Sequence, residues 1–492
     1  MASRLCMGVL GAGIGALFPA GCSTSPFDSP SKSRQSVIHR LAMPDGSGSE
    51  LGSVYREQEE IAYSEFSDLD SSAESFVRYV LYHSPTVERA YQQWRAASER
   101  LPQVRSLPDP RLNIGFFLDE VETRVGPQQA KAGFQQTFPW IGKLQDREDA
   151  AARGALAAWY QYQSIQLIVV EQVIIALRDL VYLDEAIRIT KENYALLGSF
   201  EEVVRARYRV GAGSHPELIR VQVELGQIED RVLGLEALRP SYVANLNALL
   251  NRSPEEEVAE GIRLPNSVIS ESAQQISQSA HEWSPVLQSI AQRVEQQRIG
   301  TKLAQKDGYP DLTVGIEYIV TDDAANPSIA ESGDDPIMLT FGINLPIWRE
   351  KYDAGVRESI AKRLSMSREL DASTNQLTAK VYKAWFEHTD ADRRVRLYEH
   401  SLIPKAQESL SASLGGFRTG DSEFLDLLDT QRTLLEFSIS AERARADRGK
   451  ALATLNSLVG RPVATTEEII APSSAGQVTG DIADKTVDEV QP

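Results

Sequence analysis

The chain has 492 residues, of which 51 are Lys or Arg and 69 are Asp or Glu, for a net charge of −18. That balance excludes a basic nucleic-acid binder working by phosphate neutralisation, and a hydrophobic share of 42 % excludes a wholly disordered chain. Both cysteines, Cys6 and Cys22, lie near the start and the six histidines are scattered, so a disulfide framework and a Cys/His metal cluster in the body of the protein are excluded too.

Residues 1–21 read as an export signal. Arg4 gives a positive start, and the apolar, Gly-rich stretch from Leu5 to Phe18 is too short to span a bilayer comfortably. It closes on Pro19-Ala20-Gly21-Cys22, which resembles a bacterial lipobox that would leave Cys22 as a lipidated first residue, although Pro19 stands where that motif usually has Leu, Val or Ile. The alternative is an ordinary signal peptide with an incidental cysteine. Residues 22–70 are rich in Ser, Pro and Gly and read as a tether, with a short helix near Tyr55–Ala62.

The body of the chain repeats itself. Ser84-Pro85 recurs as Ser284-Pro285, Pro108-Asp109 as Pro310-Asp311 and Phe138-Pro139-Trp140 as Leu345-Pro346-Ile347, at offsets of 200, 202 and 207. Arg207 to Gly211 recurs as Gly416 to Gly420, and Leu246 to Arg252 as Leu455 to Arg461, both at 209. Five anchors in one order mark a tandem duplication, with a first repeat over 71–264, a second over 265–462 and an acidic, disordered tail over 463–492. Each repeat reads helix, strand, strand, long helix, turn, long helix.

In the first strand pair Leu112, Ile114, Phe116 and Leu118 alternate with other residues, followed by Ala132, Phe134 and Phe138, with Gln136 breaking the pattern. In the second, Leu312, Val314, Ile316, Tyr318 and Val320 alternate, then Leu339, Phe341, Ile343 and Leu345. Their length and dyad suit strands of a membrane β-barrel, but an antiparallel sheet packed on a helix would alternate in the same way. Four strands close no barrel, and lipid tolerates no open edge; if these strands span a membrane, three copies would supply twelve. The hairpin loops read as long and polar, above all Thr321–Pro336. Pro139 and Pro346 mark the strand-to-helix transitions, because proline cannot continue a central ladder. Trp140 and Trp348 beside them suit an interfacial aromatic belt or ordinary packing.

The long helices carry heptad-like stripes: Val169, Val173, Ala176, Leu180, Leu183 and Ile187 in one, Leu218, Val221, Leu225, Ile228, Val232 and Leu235 in the next. Glu171 and Gln172 interrupt the most apolar stretch, which argues against a transmembrane helix and for an extended coiled-coil wall. Gly211 and Gly420 fall at the two predicted helix-to-helix turns.

Leu107-Pro108-Asp109-Pro110, the segment from Gln135 to Leu144, Phe417-Arg418-Thr419-Gly420 and the segment from Phe424 to Gln431 together resemble the TolC family of outer-membrane efflux proteins over residues 71–462. The Phe-Pro-Trp-Ile-Gly-Lys-Leu segment is most similar to the CzcC-like heavy-metal efflux branch. The resemblance implies a mainly α chain with a membrane β-barrel portion: a homotrimer whose twelve-stranded barrel in outer-membrane lipid continues as a long periplasmic α-helical tunnel. It also implies docking to a periplasmic adaptor (membrane fusion) protein and to an inner-membrane pump, commonly of the resistance-nodulation-division type. Its adaptor contacts centre on the helical tips, here including Val210, Gly211, Thr419 and Gly420. Its periplasmic constriction falls on the paired aspartates Asp426 and Asp429, whose spacing of three puts them on one helix face. In a trimer they would ring one axis with six carboxylates, which attract cations and repel anions. The equivalent first-repeat residues are Glu217 and Arg220, so the repeats differ electrostatically. Phe417 and Ser422 stand where members with a well-described gate have Tyr and Arg, so the hydrogen bonds of that closed state do not carry over.

A passive duct needs no nucleophile and no cofactor, and no His or Cys pair has metal-ligand spacing. The leading expectation is therefore a non-enzymatic exit duct of a tripartite efflux pump, for heavy-metal cations or drugs. Protein export in a type I secretion system and a pore-free periplasmic coiled-coil scaffold are the alternatives. The scaffold accounts for the heptads but not for the duplicated strand pairs.

Overall fold

The structure, a computed structural model, describes Leu69 and residues 72–265, 267–326, 328–463 and 465–467. The leader, Cys22 and the tether with its expected Tyr55–Ala62 helix lie outside the described residues.

The first repeat runs α1 (Ala73–His83), α2 (Pro85–Ser98), α3 (Arg100–Arg105), β1 (Arg111–Thr123), β2 (Gly126–Phe138), α4 (Lys143–Arg209) and α5 (His215–Leu250). After the short strand β3 (Ser267–Ile269) the second repeat follows the same order: α6 (Ala273–Trp283), α7 (Pro285–Lys306), β4 (Leu312–Thr321), β5 (Ile337–Ile343), α8 (Arg349–Leu397), α9 (Ile403–Thr419) and α10 (Phe424–Val459). The strand β6 (Thr465–Glu467) then pairs antiparallel with β3. The stretch read as a disordered tail thus begins with an ordered strand, preceded by the buried Val463, whose N–H donates to the Asn456 side chain at 2.8 Å.

Proline-free from end to end, α4 has 67 residues and so runs about 100 Å at 1.5 Å per residue. Its expected stripe from Val169 to Ile187 is buried throughout. Its counterpart is divided: a π-helical turn at Tyr398–Leu402 separates α8 from α9, whose first turn holds Pro404. A π turn absorbs extra backbone within a continuing helix, and here it lies where the repeat offset grows from 207 to 209.

The duplication extends into the packing. One core cluster contains Phe76, Val80, Val87, Leu246 and Leu250; a second contains Ile276, Ala280, Leu287, Leu455 and Val459, the same positions one repeat later. A third cluster joins the ends of the long helices through Leu197, Phe200, Val204, Val221, Phe417, Phe424, Leu427 and Leu428.

The four long strands form one antiparallel sheet in the order β1-β2-β4-β5. The hairpin registers agree with the sequence offsets. Leu112 faces Phe134, and adding 202 and 207 to these numbers gives Val314 and Phe341, which face each other in the second hairpin. Only one hairpin loop is long. Between β1 and β2 stand just Arg124 and Val125, because both strands reach 13 residues, and the Asp322–Pro336 loop lies over them: Gly333 N–H donates to the Val125 carbonyl at 2.8 Å and Arg124 pairs with Glu331 at 2.8 Å.

Candidate functional site

The sheet has two unlike faces. Rows of directly opposed residues run Leu112–Phe134–Ile316–Leu339 and Ile114–Ala132–Tyr318–Ile337 across all four strands. The large side chains of these rows are exposed, Leu112 by 67 % and Leu339 by 65 %. A sheet packed on a helix would have buried this face. The other face carries Asn113, Lys131, Gln135, Thr137, Thr313, Glu317 and Thr340; Lys131 pairs with Glu317 at 2.9 Å and the Thr137 and Thr313 hydroxyls lie 3.1 Å apart. Gln136, the break in the apolar alternation, donates its side-chain N–H groups to the carbonyls of Pro108 at 2.8 Å and Thr137 at 2.9 Å, so its amide is satisfied where the strand meets the chain entering β1. Among the described residues no helix is long and apolar enough to cross a membrane.

At the strand-to-helix transition of the first repeat, Pro139 ends β2 and the Trp140 carbonyl accepts from Lys143 N–H at 2.9 Å to start α4. Trp140 stacks on Tyr309, with ring centroids 5.2 Å apart and planes 13° apart. Asp311 accepts from Trp140 N–H at 2.8 Å and from the buried Lys143 ammonium at 2.9 Å. Lys306 adds a hydrogen bond to the Gly142 carbonyl at 3.2 Å and an ion pair with Asp146 at 2.6 Å. The second repeat's transition is bare by comparison. Pro346 follows β5, Trp348 is 73 % exposed, and Ile347, Trp348, Arg349, Glu350, Lys351 and Ala354 line an open groove of about 480 Å³.

At the far ends of the long helices lie the two tips. Gly211 and Gly420 have φ of +75° and +91°, the left-handed conformation that costs a side-chain-bearing residue free energy. Val210 is exposed, and a Cβ at either glycine would meet nothing within 4 Å, so both turns are displayed rather than packed. Thr419 donates its hydroxyl to Asp421 at 2.7 Å, and the N–H groups of Gly420 and Asp421 both donate to Gly416. In the other tip Ser214 and Glu217 form a reciprocal capping box that starts α5.

Asp426 and Asp429 sit on the exposed face of α10, in its first and second turns, while Phe424, Leu427 and Leu428 are buried on its other side. Asp426, in the first turn, meets the favourable end of the helix dipole, a purely local reason for a carboxylate there. Asp429 lies beyond that turn. Hydrogen bonding to Glu224 is the main cause that raises the pKa of Arg432 above the ordinary guanidinium value, with burial working against it and the nearby charge of Asp429 adding a smaller push in the same direction. Arg432 Nε donates to Glu224 on α5 at 2.8 Å, so the aspartate pair borders a strut between the two tip helices. The first-repeat equivalents do other work: Glu217 belongs to the capping box and Arg220 is exposed.

Three contacts here have no sequence motif: Arg432 with Glu224, the buried Asn193–Gln431 amide pair between α4 and α10, and Lys143 with Asp311. Only Asp311 had a signal, the recurring Pro-Asp dipeptide. Phe417 is buried against Phe424 with ring centroids 5.5 Å apart, so this position contributes to the tip core. No cluster of three or more His, Cys, Asp or Glu suited to a metal ion occurs among the described residues.

Residues 276–461 match a family described as outer membrane efflux protein. The chain is 24 % identical over 363 residues to the cobalt-zinc-cadmium resistance protein CzcC of Cupriavidus metallidurans, covering 73 % of this chain and 82 % of that protein. Its fold is that of VceC, an outer membrane protein of Vibrio cholerae, with a TM-score of 0.66 at 16 % identity over 80 % of this chain and 97 % of VceC. It is equally that of the MtrE outer membrane channel of Neisseria gonorrhoeae, with a TM-score of 0.65 at 15 % identity over 80 % and 89 % of the two chains.

Proposed function

We propose that this chain, a member of the outer membrane efflux protein family, is the exit duct of a tripartite efflux pump, carrying substrate passively from the periplasm across the outer membrane. The observation that carries this reading is the four-stranded sheet with an exposed apolar face, a polar face and two unpaired edges. Lipid requires such edges to be closed, and three copies close them as a twelve-stranded barrel with the apolar face outward and the polar face lining water. The long helices then extend the conduit into the periplasm as a helical barrel.

In this reading the displayed tips, with Val210, Gly211, Thr419 and Gly420, dock a periplasmic adaptor, and through it an inner-membrane pump of the resistance-nodulation-division type. Asp426 and Asp429 form two carboxylate rings at the periplasmic constriction, which favour cations over anions. Divalent transition-metal cations are the cargo class, supported by the likeness to CzcC and compatible with those rings. Cargo selection falls to the pump, since a duct needs only to let the ion pass. Cys22 carries a lipid anchor that supplements the barrel.

The test is single-channel conductance of the detergent-extracted protein with its native mass. A heat-sensitive trimer giving cation-selective currents is the expected result; a water-soluble monomer without currents would overturn the reading.

A further inference from the structure

The open edges of the sheet, β1 and β5, have a template for their closure inside the chain. Where the repeats meet, β2 of the first lies beside β4 of the second, with Gln136 opposite Val314, Phe134 opposite Ile316 and Ala132 opposite Tyr318. The offsets that carry one hairpin register onto the other, 202 and 207, also carry this junction onto the two free edges: β2 becomes β5 and β4 becomes β1.

Resting on the trimer reading, we propose that β5 of one copy pairs antiparallel with β1 of the next copy with Ile343 opposite Leu112, Phe341 opposite Ile114 and Leu339 opposite Phe116, and that this seam lacks the ion pairs of the internal junction. All three pairs join exposed apolar residues, and a slip of one residue would set each against the polar face.

The bare groove at Ile347–Ala354 is the matching site one level below. Its first-repeat equivalent is filled by Tyr309 and Asp311; on the second repeat the same filling is the Leu107-Pro108-Asp109 segment of the next copy. The chemistry changes on transfer. Lys143 opposite Asp311 becomes Glu350 opposite Asp109, and Lys131 opposite Glu317 becomes Met338 opposite Gly115. The internal junction holds three ion pairs, the third between Lys306 and Asp146, which become Val104 and Asp353; the seam reproduces none of the three and sets two carboxylates, Glu350 and Asp109, against each other. Backbone ladder bonds and lipid-facing apolar contacts hold it, and it is the line along which the barrel opens into subunits.

Two experiments test this on the full-length chain in detergent. In the first, Asn113→Cys with Gly342→Cys and Leu112→Cys with Ile343→Cys place two adjacent opposed pairs, one of which has the closer, non-hydrogen-bonded geometry. Each double variant is read against its single variants, which carry the same native cysteines. At least one pair is expected to give reducible intermolecular crosslinks, and Phe117→Cys with Gly342→Cys, four residues out of register, none. In the second, Glu350→Lys and Asp109→Lys should each raise the temperature at which trimers dissociate, while the double variant, with lysine facing lysine, should fall back to wild type or below. Crosslinks favouring the Phe117 pair, a trimer crosslinked by neither in-register pair, or single charge variants that loosen the trimer as much as the double would overturn the seam. A wild-type monomer would instead overturn the duct reading beneath it.

Discussion

Arg207, near the end of α4, lies over the ring of Phe417 at 4.4 Å from its centroid and donates to the Phe417 carbonyl on α9, fastening the tip of one repeat to that of the other. A guanidinium serves both contacts because it is planar, stacks on the ring and still presents N–H groups in plane. Arg207→Ala should weaken the tip by about 1–3 kcal/mol, the sum expected for a half-exposed cation–π contact and a charged hydrogen bond. Hydrogen exchange at the amides from Phe417 to Phe424 checks this: protection should fall in Arg207→Ala and recover only in part in Arg207→Lys. Unchanged protection would mean that the apolar cluster around Phe417 holds the tips unaided.

Asp426→Ala with Asp429→Ala should raise the closed-state conductance severalfold and lower the preference for cations, since both carboxylate rings are removed. Asp429→Ala alone should act through a second route, because Arg432 loses a nearby negative charge but keeps Glu224. Planar-bilayer recordings at two salt gradients separate conductance from selectivity. Unchanged currents in the double variant would assign both residues to an ordinary solvated helix face.

Much of this architecture is written in the chain because a duplication states each feature twice. Pro108 and Pro310, Pro139 and Pro346, and Gly211 and Gly420 fix strand starts, strand ends and tips, and the offsets between them set even the pairing register. The strand pattern was legible, but its environment was not: alternation looks the same whether Leu339 faces a helix or lipid, and only the exposed face in the folded chain decides. Gly126 and Pro127 suit a loop by composition, which lengthens the first hairpin loop on paper, yet both lie in β2 opposite Thr123 and Glu122. Asp426 and Asp429 stand out in the sequence as a spaced pair on a helix. Glu224 and Arg432 do not, since periodicity names a residue's face and not the charge on the helix beside it.

Phe341→Arg should cost about 2–4 kcal/mol of barrel stability if this position faces the bilayer midplane. Met338→Arg, on the opposite face with Glu317 across the ladder, should be tolerated and even gain an ion pair. Heat-modifiable migration after refolding into vesicles measures both. Equal tolerance would return the sheet to a water-facing role.

Two carboxylates on the helices should give acid responses of opposite sign. Hydrogen bonding to Arg205, and then to Gln222, holds Glu201 below the usual carboxylate range despite some burial. Its folded pKa is depressed, so its stabilisation is present above the unfolded value and lost as pH falls through the folded one. Burial pushes Glu442 the other way, opposed by Arg445 and reinforced by Glu185. Its folded pKa is raised, so its contribution is present below the unfolded value and lost as pH rises through the folded one. Glu201→Gln should therefore lower the melting temperature at neutral pH and flatten its decline in acid. Glu442→Gln should raise the melting temperature at neutral pH and converge on wild type in acid. Melting curves of the detergent-solubilised protein, from neutral pH down through the carboxylate range, decide it; two variants shifting together at every pH would show that the Arg205 and Arg445 contacts, not the titration of the acids, set the balance.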